Sequence, residues 1–395
     1  MREQFGLGGL RGPSRHCPLL RLVYFRSFFV YSTPQLNSSL ISSMSPKHFS
    51  TIRRKLLRWY DKGHRDLPWR RTADPYAIWI AETMLQQTQV TTVVPYYERF
   101  LKHFPTVAAL ARAPLRRVLT LWSGLGYYRR AENLKKCARQ LVLNHREQIP
   151  ADYDKLVSLP GIGHYTAGAL MSIAFGQPYP ALDGNARRVL GRICNCANQT
   201  ELGAIARRLV PKTRPSHFNQ AIMELGATLC IPKTPRCGDC PVALHCWANN
   251  NQASSKPAAQ RSRALKDVTW PLAIVRHGGK LLLRRRSATG MLAGLWEFPG
   301  GAIDNKTTRA SLKHHLGELN GALRGNRRIG ELRHTITDKK IRAPIFLIDL
   351  PPDAELRLAN SNWRWVAPSS LHHFPVSSMT LKAAKLLTAH EKSFL

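Results

Sequence analysis

Four cysteines near the middle of the chain have the spacing of a metal centre. They form the run Cys230-x6-Cys237-x2-Cys240-x5-Cys246, so four thiolates within 17 residues can close one centre. A zinc ribbon normally offers two Cys-x-x-Cys pairs, whereas this run has one. Disulfides are disfavoured because the remaining cysteines show no matching framework. The run therefore predicts a metal cluster. Its role is either structural, which is favoured, or redox.

Two carboxyl groups are candidates for acid–base chemistry. Glu82 lies in a helix predicted to begin at Pro75 and shares one face with apolar residues at i, i+3 and i+4 spacing. A carboxyl on an apolar stripe loses solvation, which raises its pKa and makes it a candidate general acid. The alternative is a partly exposed glutamate paired with an arginine. Asp183 precedes another predicted helix, where it is either an N-cap or a carboxylate able to stabilise a developing cation.

A pair of glycines lies between two predicted helices. Gly161 and Gly163 occur in the run Leu159-Pro160-Gly161-Ile162-Gly163. Glycines at this spacing let backbone N–H groups approach an anion, and the next helix N-terminus adds its dipole. In isolation such a pair is usually an ordinary turn. Between two helices of a basic chain it predicts a helix-hairpin-helix that holds a phosphate without reading base sequence.

The charge balance indicates a polyanionic partner. The 395 residues carry 59 basic and 24 acidic side chains, a formal net charge of +35. Nucleic acid is the first candidate and an anionic membrane surface the second. No apolar run is long enough to span a membrane. A hydrophobic content of 44% can bury real cores, and the length suits two or three domains.

Amino-acid composition and the positions of proline and glycine divide the chain into four segments. The first has five arginines and one acid, which fits either a mitochondrial transit peptide or an over-long start before Met44. The second is predicted to be helical, the third to be a linker rich in Asn, Gln, Ser and Ala, and the fourth to be an α+β domain. The four segments are 1–43, 44–248, 249–268 and 269–395.

Five motifs, taken in order, resemble the MutY-type adenine DNA glycosylases of the endonuclease III superfamily. They are Met84–Val90, Gly124–Tyr128, Leu159–Gly163, Leu182–Asn185 and the four-cysteine run. The resemblance covers residues 45–250 densely and 269–395 more loosely. It implies a mostly α catalytic region with a helix-hairpin-helix and an iron–sulfur loop, followed by a smaller α+β Nudix-like domain. In that family the four cysteines hold a 4Fe-4S cluster.

The resemblance also implies chemical roles. Glu82 would protonate adenine at N7 and later help to activate water, while Asp183 would stabilise the oxocarbenium-like sugar. The bifunctional branch of the superfamily has a nucleophilic lysine where this chain has Tyr165, so a monofunctional glycosylase is implied. Tyr165 and Asn185 would orient the two acids. The residues expected to line the pocket of the flipped adenine are Arg65, Leu67, Trp69, Arg70 and Glu224.

Another set of residues is implied to reshape the duplex. Adenine must leave the base stack before its glycosidic bond can be reached. Gln87 and Tyr127 would wedge into the stack, and Thr88 would touch the opposite 8-oxoguanine. Without the motif context, Trp69 and Tyr127 would be interpreted as ordinary core aromatics.

The C-terminal segment resembles a Nudix domain without its catalytic acids. Gly294–Gly301 matches the start of such a domain, but serine and histidines in Ala310–Gly317 replace the acids that would hold magnesium. The resemblance implies that this domain recognises 8-oxoguanine. The family's Phe-Ser-His loop is replaced here by Ile336-Thr337-Asp338. Thr337 can supply the hydroxyl, and the missing aromatic and imidazole weaken the expectation of strict discrimination.

These inferences lead to one expected function and three alternatives. The chain is expected to be a monomer that excises adenine opposite 8-oxoguanine or guanine in double-stranded DNA, without a membrane. A bacterial, cytoplasmic location is favoured, and a mitochondrial or nuclear one applies if segment 1–43 is a genuine transit peptide. The alternatives are an endonuclease III-like lyase, a nucleotide-pool Nudix hydrolase and a non-catalytic DNA-binding protein.

Overall fold

The computed structural model describes residues 45–253, 265–303, 308–316, 327–352 and 361–392. The extension over 1–43 and most of the expected linker lie outside the described residues. Within the described part of the chain, no helix is both long and apolar enough to cross a membrane.

Residues 45–253, all of which are described, consist of helices and loops, as the sequence predicts. The α-helices are α1 (Pro46–Lys62), α2 (Pro75–Leu85), α3 (Val90–His103), α4 (Val107–Arg112), α5 (Leu115–Trp122), α6 (Arg129–Asn144), α7 (Tyr153–Ser158), α8 (His164–Ala169), α9 (Gly184–Cys194), α10 (Gln199–Leu209), α11 (Pro215–Thr228) and α12 (Trp247–Asn250). A π-helical turn, Leu170–Ala174, continues α8.

Helix α2 is the central helix of this region. It begins as predicted, because the Asp74 carboxylate accepts hydrogen bonds from Tyr76 N (3.0 Å) and Ala77 N (3.2 Å), and Pro75 occupies the first turn. Nine of its eleven residues are buried. A helix that is apolar on nearly every side must lie inside the domain. Glu82 is therefore carried into the core by its neighbours.

Two hydrophobic cores support the helical region. One gathers side chains from α2 to α8 around Trp79, Phe100 and Trp122. The other joins α1 to α9, α10 and α11 around Leu56, Phe218 and Leu225. Because Glu82 belongs to the first half and Asp183 begins α9 in the second half, the boundary between the two cores is where the carboxyl groups meet.

The C-terminal region is an α+β domain built on a seven-stranded mixed sheet. Strand β6 pairs in parallel with β1 and β2 and antiparallel with β5, and β3 pairs antiparallel with β2, β4 and β7. In the described part of this region, two α-helices accompany the sheet. The elements are β1 (Lys266–Thr269), β2 (Leu272–His277), β3 (Lys280–Arg285), β4 (Trp296–Glu297), α13 (Thr308–Leu316), β5 (Arg327–Ile336), β6 (Lys339–Asp349), β7 (Trp363–Val366) and α14 (Ser378–Lys392).

The predicted linker over 249–268 is wrong at both ends. Helix α12 runs to Asn250, and β1 already begins at Lys266. Strand β1 has a polar composition, which does not suggest a strand in the sequence. Its first two residues are exposed, and among the described strands it pairs with β6. Strand β5 was not predicted at all, since its ten residues include four arginine or histidine side chains and none is fully buried.

Several contacts join the two domains, and two hydrogen bonds converge on one backbone carbonyl. Ser123 Oγ and Tyr128 Oη, from the loop between α5 and α6, both donate to Val376 O at 2.7 and 2.6 Å. Leu295 is fully buried and belongs to the core of the helical region although it lies in the C-terminal domain. The Arg116 guanidinium lies 5.5 Å from the Phe374 ring. These contacts fix the C-terminal domain against the loop that contains Tyr127.

Tyr128→Phe tests this docking. The variant removes one of the two donors to Val376 O and also the acceptor of Gly124 N (3.1 Å), so the free energy of unfolding should fall by about 1–2 kcal/mol. Chemical denaturation measures it, with Tyr179→Phe as the control because no described residue hydrogen-bonds to the Tyr179 hydroxyl. Equal stability of the two variants would contradict the proposed docking contact.

Candidate active site

Both domains contribute to one large cleft of about 2490 Å3. The helical region supplies most of its walls, including Glu82, Asp183 and the loop 124–130. The C-terminal domain supplies residues 288–293, the β5–β6 turn and Ser377 with Ser378. A substrate in this cleft can therefore be contacted by both domains at once.

Glu82 combines burial with access to the cleft. Its side chain lines the cleft although the residue is only 4% exposed. The pKa of Glu82 is raised to about 7, chiefly by burial, with a smaller contribution from the nearby Asp183 carboxylate, whereas the hydrogen bond donated by the Tyr165 hydroxyl to Glu82 Oε2 opposes the shift. An acid with this pKa can hold a proton at neutral pH and still release it. The alternative of an exposed, arginine-paired glutamate is excluded.

Asp183 is the N-cap of α9 and faces the same cleft. Its Oδ1 accepts a hydrogen bond from Ala186 N at 2.6 Å, so the N-cap interpretation is correct. Burial raises the pKa of Asp183, and the Ala186 N–H, Arg188 and Asn185 oppose this shift. The helix N-terminus favours the anion. Capping thus places the Asp183 carboxyl in the same cleft as Glu82, and its role toward a developing cation stays a prediction.

Asn185 is held by neighbours on two helices. Its Oδ1 accepts from Arg188 Nη2 at 2.8 Å, and Arg188 also donates to Gly226 O (2.7 Å) on α11 and to Cys230 O (2.9 Å). A Cβ at Gly226 would come within 2.7 Å of Asn185 Cβ. Gly226 therefore permits the close approach of α11 to the start of α9.

The predicted adenine-pocket residues divide into lining and supporting residues. Arg65, Leu67, Trp69 and Arg70 line the cleft. Glu224 does not, which corrects the prediction: it is 2% exposed and lies behind the wall. It accepts hydrogen bonds from Arg65 Nε and Nη2 and from Arg70 Nη2, each at 2.8 Å. Burial alone would raise the pKa of Glu224, but these bonds lower it to about 2.

Trp69 and Leu67 serve the core and the cleft together. Both are 7% exposed and belong to the core around α2, and the Trp69 ring meets the Tyr97 ring edge-on at 5.4 Å. The core interpretation of Trp69 is therefore correct, and its cleft-facing surface leaves the substrate interpretation open.

The predicted wedge residues lie at the rim of the cleft. Gln87 is exposed and Tyr127 is 50% exposed. Both have left-handed backbones, with φ of 59° and 47°. Thr88 and Thr337 also line the cleft, and Thr337 has a φ of 56° in the two-residue turn between β5 and β6. A β-branched residue with a left-handed backbone is unusual, so Thr337 indicates a turn whose conformation is maintained by the surrounding structure.

The hairpin glycines lie outside the cleft walls. Gly161 has a φ of +80° and packs against α6, where a Cβ would come within 2.7 Å of Asn133 Cβ. Gly163 is the N-cap position of α8, and both glycines are exposed. The predicted helix-hairpin-helix is therefore present, with its backbone open to solvent.

The four cysteines surround one small cavity of about 50 Å3. All four are free thiols, and Arg192 Nη1 donates to Cys230 Sγ at 3.3 Å. No group of described residues is close enough to hold a single metal ion. A single zinc ion would require all four sulfurs at about 2.3 Å. Four thiols around one cavity, with a cation beside them, are a donor set that suits a metal centre bound through sulfur.

The walls of the cleft are strongly basic. Eight lysine or arginine side chains line it against three carboxylic acids. This excess attracts a polyanion and raises its local concentration. The basic residues are Arg65, Arg70, Arg129, Arg130, Lys136, Arg187, Arg188 and Arg192, and the acids are Glu82, Glu132 and Asp183.

Sequence reasoning missed three contributors to the site. Met223 lies at 4.0 Å from the Tyr165 hydroxyl, Arg188 holds Asn185, and Arg130 holds the rim loops. In a chain of +35, the pair Arg129-Arg130 is naturally interpreted as phosphate-binding surface. The only sequence signal was its position directly after Tyr127 and Tyr128.

Comparisons with known proteins identify the family. Residues 80–212 match the HhH-GPD superfamily base excision DNA repair proteins, and residues 271–386 match the NUDIX domain. The adenine DNA glycosylase of Homo sapiens is 34% identical over 406 residues, which cover 85% of this chain and 74% of that protein. The Rattus norvegicus adenine DNA glycosylase is 34% identical over 89% of this chain and 82% of its own length.

The chain belongs to the adenine DNA glycosylase family. It is thus a base excision repair glycosylase, a hydrolase of N-glycosyl bonds. The predicted fold, a helical glycosylase region followed by a Nudix-like domain, is confirmed. A solved structure of a thermostable thymine-DNA glycosylase superposes with a TM-score of 0.50 at 29% identity, covering 52% of this chain and 98% of that one. The helical fold is thus shared with a glycosylase named for a different base.

The raised pKa of Glu82 predicts a pH-dependent stability. The folded chain holds the Glu82 proton more tightly than the unfolded chain, in which the glutamate pKa is near 4.5. The stabilisation of the folded state by this proton is therefore lost as pH rises through about 7. Relative to Glu82→Gln, the wild-type free energy of unfolding should fall by roughly 3 kcal/mol between about pH 5 and about pH 8.

Urea denaturation across this range measures the effect. Glu224→Gln is the contrasting variant: because the pKa of Glu224 is about 2, its difference from wild type should be nearly constant over the upper part of the range. A constant difference for Glu82→Gln as well would contradict the buried-acid description.

Proposed function

We propose that the protein removes adenine from double-stranded DNA where it is mispaired with 8-oxoguanine or guanine. The observation that carries this proposal is the buried Glu82 carboxyl, bonded to Tyr165, in the same cleft as the Asp183 carboxylate. Family membership favours adenine as the base. The basic walls of the cleft suit a duplex with one nucleotide extruded.

Departure of adenine requires a proton on the base. Glu82 supplies it to N7, because a carboxyl with a pKa of about 7 is protonated in about half of the molecules at neutral pH and in most of them below it. The Tyr165 hydroxyl fixes the orientation of the carboxyl by donating to Oε2, which leaves the other oxygen for the base. After the proton transfer, the Glu82 carboxylate can accept a proton from the attacking water.

Bond breaking leaves positive charge on the sugar. Asp183 stabilises this charge from the N-terminus of α9, where its carboxylate is held by Ala186 N. Asn185, fixed by Arg188, keeps Asp183 in position. Burial raises the pKa of both acids, but at Asp183 the Ala186 N–H, Arg188 and Asn185 oppose the rise, whereas the pKa of Glu82 reaches about 7, which suits the two acids to different roles.

The reaction stops at the abasic site. The position of the superfamily's lyase lysine is held by Tyr165, whose phenol is already committed to Glu82. Burial raises the pKa of Tyr165 well above its usual range, so the phenol remains neutral. Without an amine nucleophile at this position, strand cleavage through a Schiff base is not expected.

The opposite base is read from both sides of the cleft. Thr88 approaches from the helical region and Thr337 from the β5–β6 turn of the C-terminal domain. Both side chains offer hydroxyl groups, which can donate or accept. The hairpin glycines, Gly161 and Gly163, hold a phosphate through their backbone outside the cleft.

A 4Fe-4S cluster is the proposed cofactor. Cys230, Cys237, Cys240 and Cys246 would hold it around their shared cavity, beside Arg192. When bound, the cluster would fix the fold of the loop without taking part in hydrolysis. Arg188 and Arg192 on α9 bond the backbone of this loop at Cys230 and Ile231, so a folded loop supports the helix that begins at Asp183.

The proposal predicts which duplexes lose a base. The purified protein should release adenine opposite 8-oxoguanine and guanine, detected as alkali-labile sites, and nothing from thymine glycol or from thymine opposite guanine. Glu82→Gln and Asp183→Asn should each reduce single-turnover excision by at least about 1000-fold while duplex binding stays within a few-fold, because they alter the acids and not the basic walls. Release of thymine glycol alone would contradict the proposal in favour of a lyase.

The cofactor proposal predicts iron content. Wild type should contain four irons and inorganic sulfide per chain with broad visible absorption, and Cys240→Ser should lose both because a ligand is missing. Cys137→Ser, at a buried cysteine outside the loop, is the control and should retain them. Wild-type protein holding zinc instead would contradict the assignment.

A further inference from the structure

Arg130 is a buried cation for which the described residues provide no carboxylate partner. It lies in the first turn of α6 and is only 9% exposed. Burial lowers the pKa of Arg130 to about 10, so the group remains charged at neutral pH. A buried charge is costly unless fixed dipoles replace water. Here backbone carbonyls and one hydroxyl replace it at Nη1 and Nη2, whereas Nε is buried without a hydrogen-bond partner among the described residues.

The guanidinium connects two separate loops. Nη1 donates to Thr83 O, Met84 O and Gln86 O at 2.9, 2.7 and 2.5 Å, all at the end of α2. Nη2 donates to Thr88 Oγ1 at 3.1 Å and, in the other loop, to Gly126 O at 3.2 Å and Leu125 O at 3.4 Å. The planar fork of arginine can reach acceptors on two sides at once, whereas a lysine ammonium cannot.

The bonded atoms flank the two wedge residues. Gln86 O and Thr88 Oγ1 lie on either side of Gln87 in the chain, and Gly126 O directly precedes Tyr127. The guanidinium carbon also lies 5.5 Å from the Tyr127 ring centre. Both wedge residues have left-handed backbones, which cost free energy in a non-glycine residue and persist only where the surroundings hold them.

We propose that Arg130 is a positioning residue that holds Gln87 and Tyr127 in the conformation that enters the base stack before DNA binds. The proposal rests on the proposed function, since it assumes that these residues act as wedges. Because a pre-formed wedge loses less conformational freedom on insertion, loosening either loop should slow base extrusion. The acid–base step, which depends on Glu82 and Asp183, should keep its pH dependence.

A substitution at Lys135 is the control that distinguishes positioning of the wedge residues from general stabilisation of the fold. It is also a buried cation on α6, 4% exposed, and it donates to Ala111 O at 3.0 Å and to Ala113 O. Its acceptors belong to the end of α4, away from both rim loops. A substitution at Lys135 therefore removes a comparable buried interaction without touching the wedge.

The experiment compares Arg130→Lys with Lys135→Met in the full chain. The probe is a duplex with 2-aminopurine beside a 2′-fluoro-deoxyadenosine opposite 8-oxoguanine, so that stack disruption is observed without bond cleavage. Arg130→Lys retains the charge and approximate volume and should fold. It should lower the rate of the fluorescence rise by about 10-fold, which corresponds to the free-energy cost of holding one non-glycine residue in a left-handed conformation. The pH midpoint of excision on an unmodified duplex should match wild type.

Lys135→Met should lower thermal stability while the fluorescence rise stays within a factor of two of wild type. An Arg130→Lys variant that inserts at the wild-type rate, or a Lys135→Met variant that loses insertion equally, would overturn the positioning role. Failure of the wild type itself to release adenine would overturn the proposed function instead, so the two failures are distinguishable.

Discussion

The desolvation of one carboxyl group is the constraint on which the site depends. Glu82 lies on α2, a helix buried on nearly every face, and that burial keeps its pKa near 7. The same burial would leave the carboxyl without a partner, which is costly, and the Tyr165 hydroxyl removes that cost. The N-cap at Asp74 and the apolar neighbours of Glu82 therefore influence the pKa of Glu82, because they determine how deeply α2 is buried in the core.

The remaining architecture brings other groups to that carboxyl without exposing it. Two cores meet at the cleft, so Asp183 approaches from α9 while Glu82 stays in the first core. Glu224 fixes Arg65 and Arg70 from behind the wall, which allows two cations to face the cleft in set positions. The C-terminal domain closes the cleft from the other side and is bonded to the same loop that contains Tyr127. The residues proposed to contact the opposite base and those proposed to act as the wedge are therefore connected through this loop.

Local signals in the sequence were sufficient for much of this arrangement. The helix start at Asp74-Pro75, the hairpin glycines and the four-cysteine run each depend on neighbouring residues, and each lies where the pattern predicts. Contacts between distant segments were not accessible. Glu224 appeared to be a lining residue because its ion pairs to residues more than 150 positions away are invisible in the chain. No role was predicted for Arg130 from the sequence, and only the folded loops show that six acceptors surround its guanidinium. Strand β5 was hidden because its basic side chains do not alternate with buried ones.

The most direct test of the central claim is the protonation state of Glu82 itself. Infrared difference spectra between wild type and Glu82→Gln isolate the C=O stretch of this carboxyl, and its intensity can be followed across pH. The account predicts a protonated band that persists to neutral pH and titrates with a midpoint near 7. A band that disappears with a midpoint near the ordinary glutamate value of 4.5 would contradict it, because the carboxyl would then be an anion when adenine arrives.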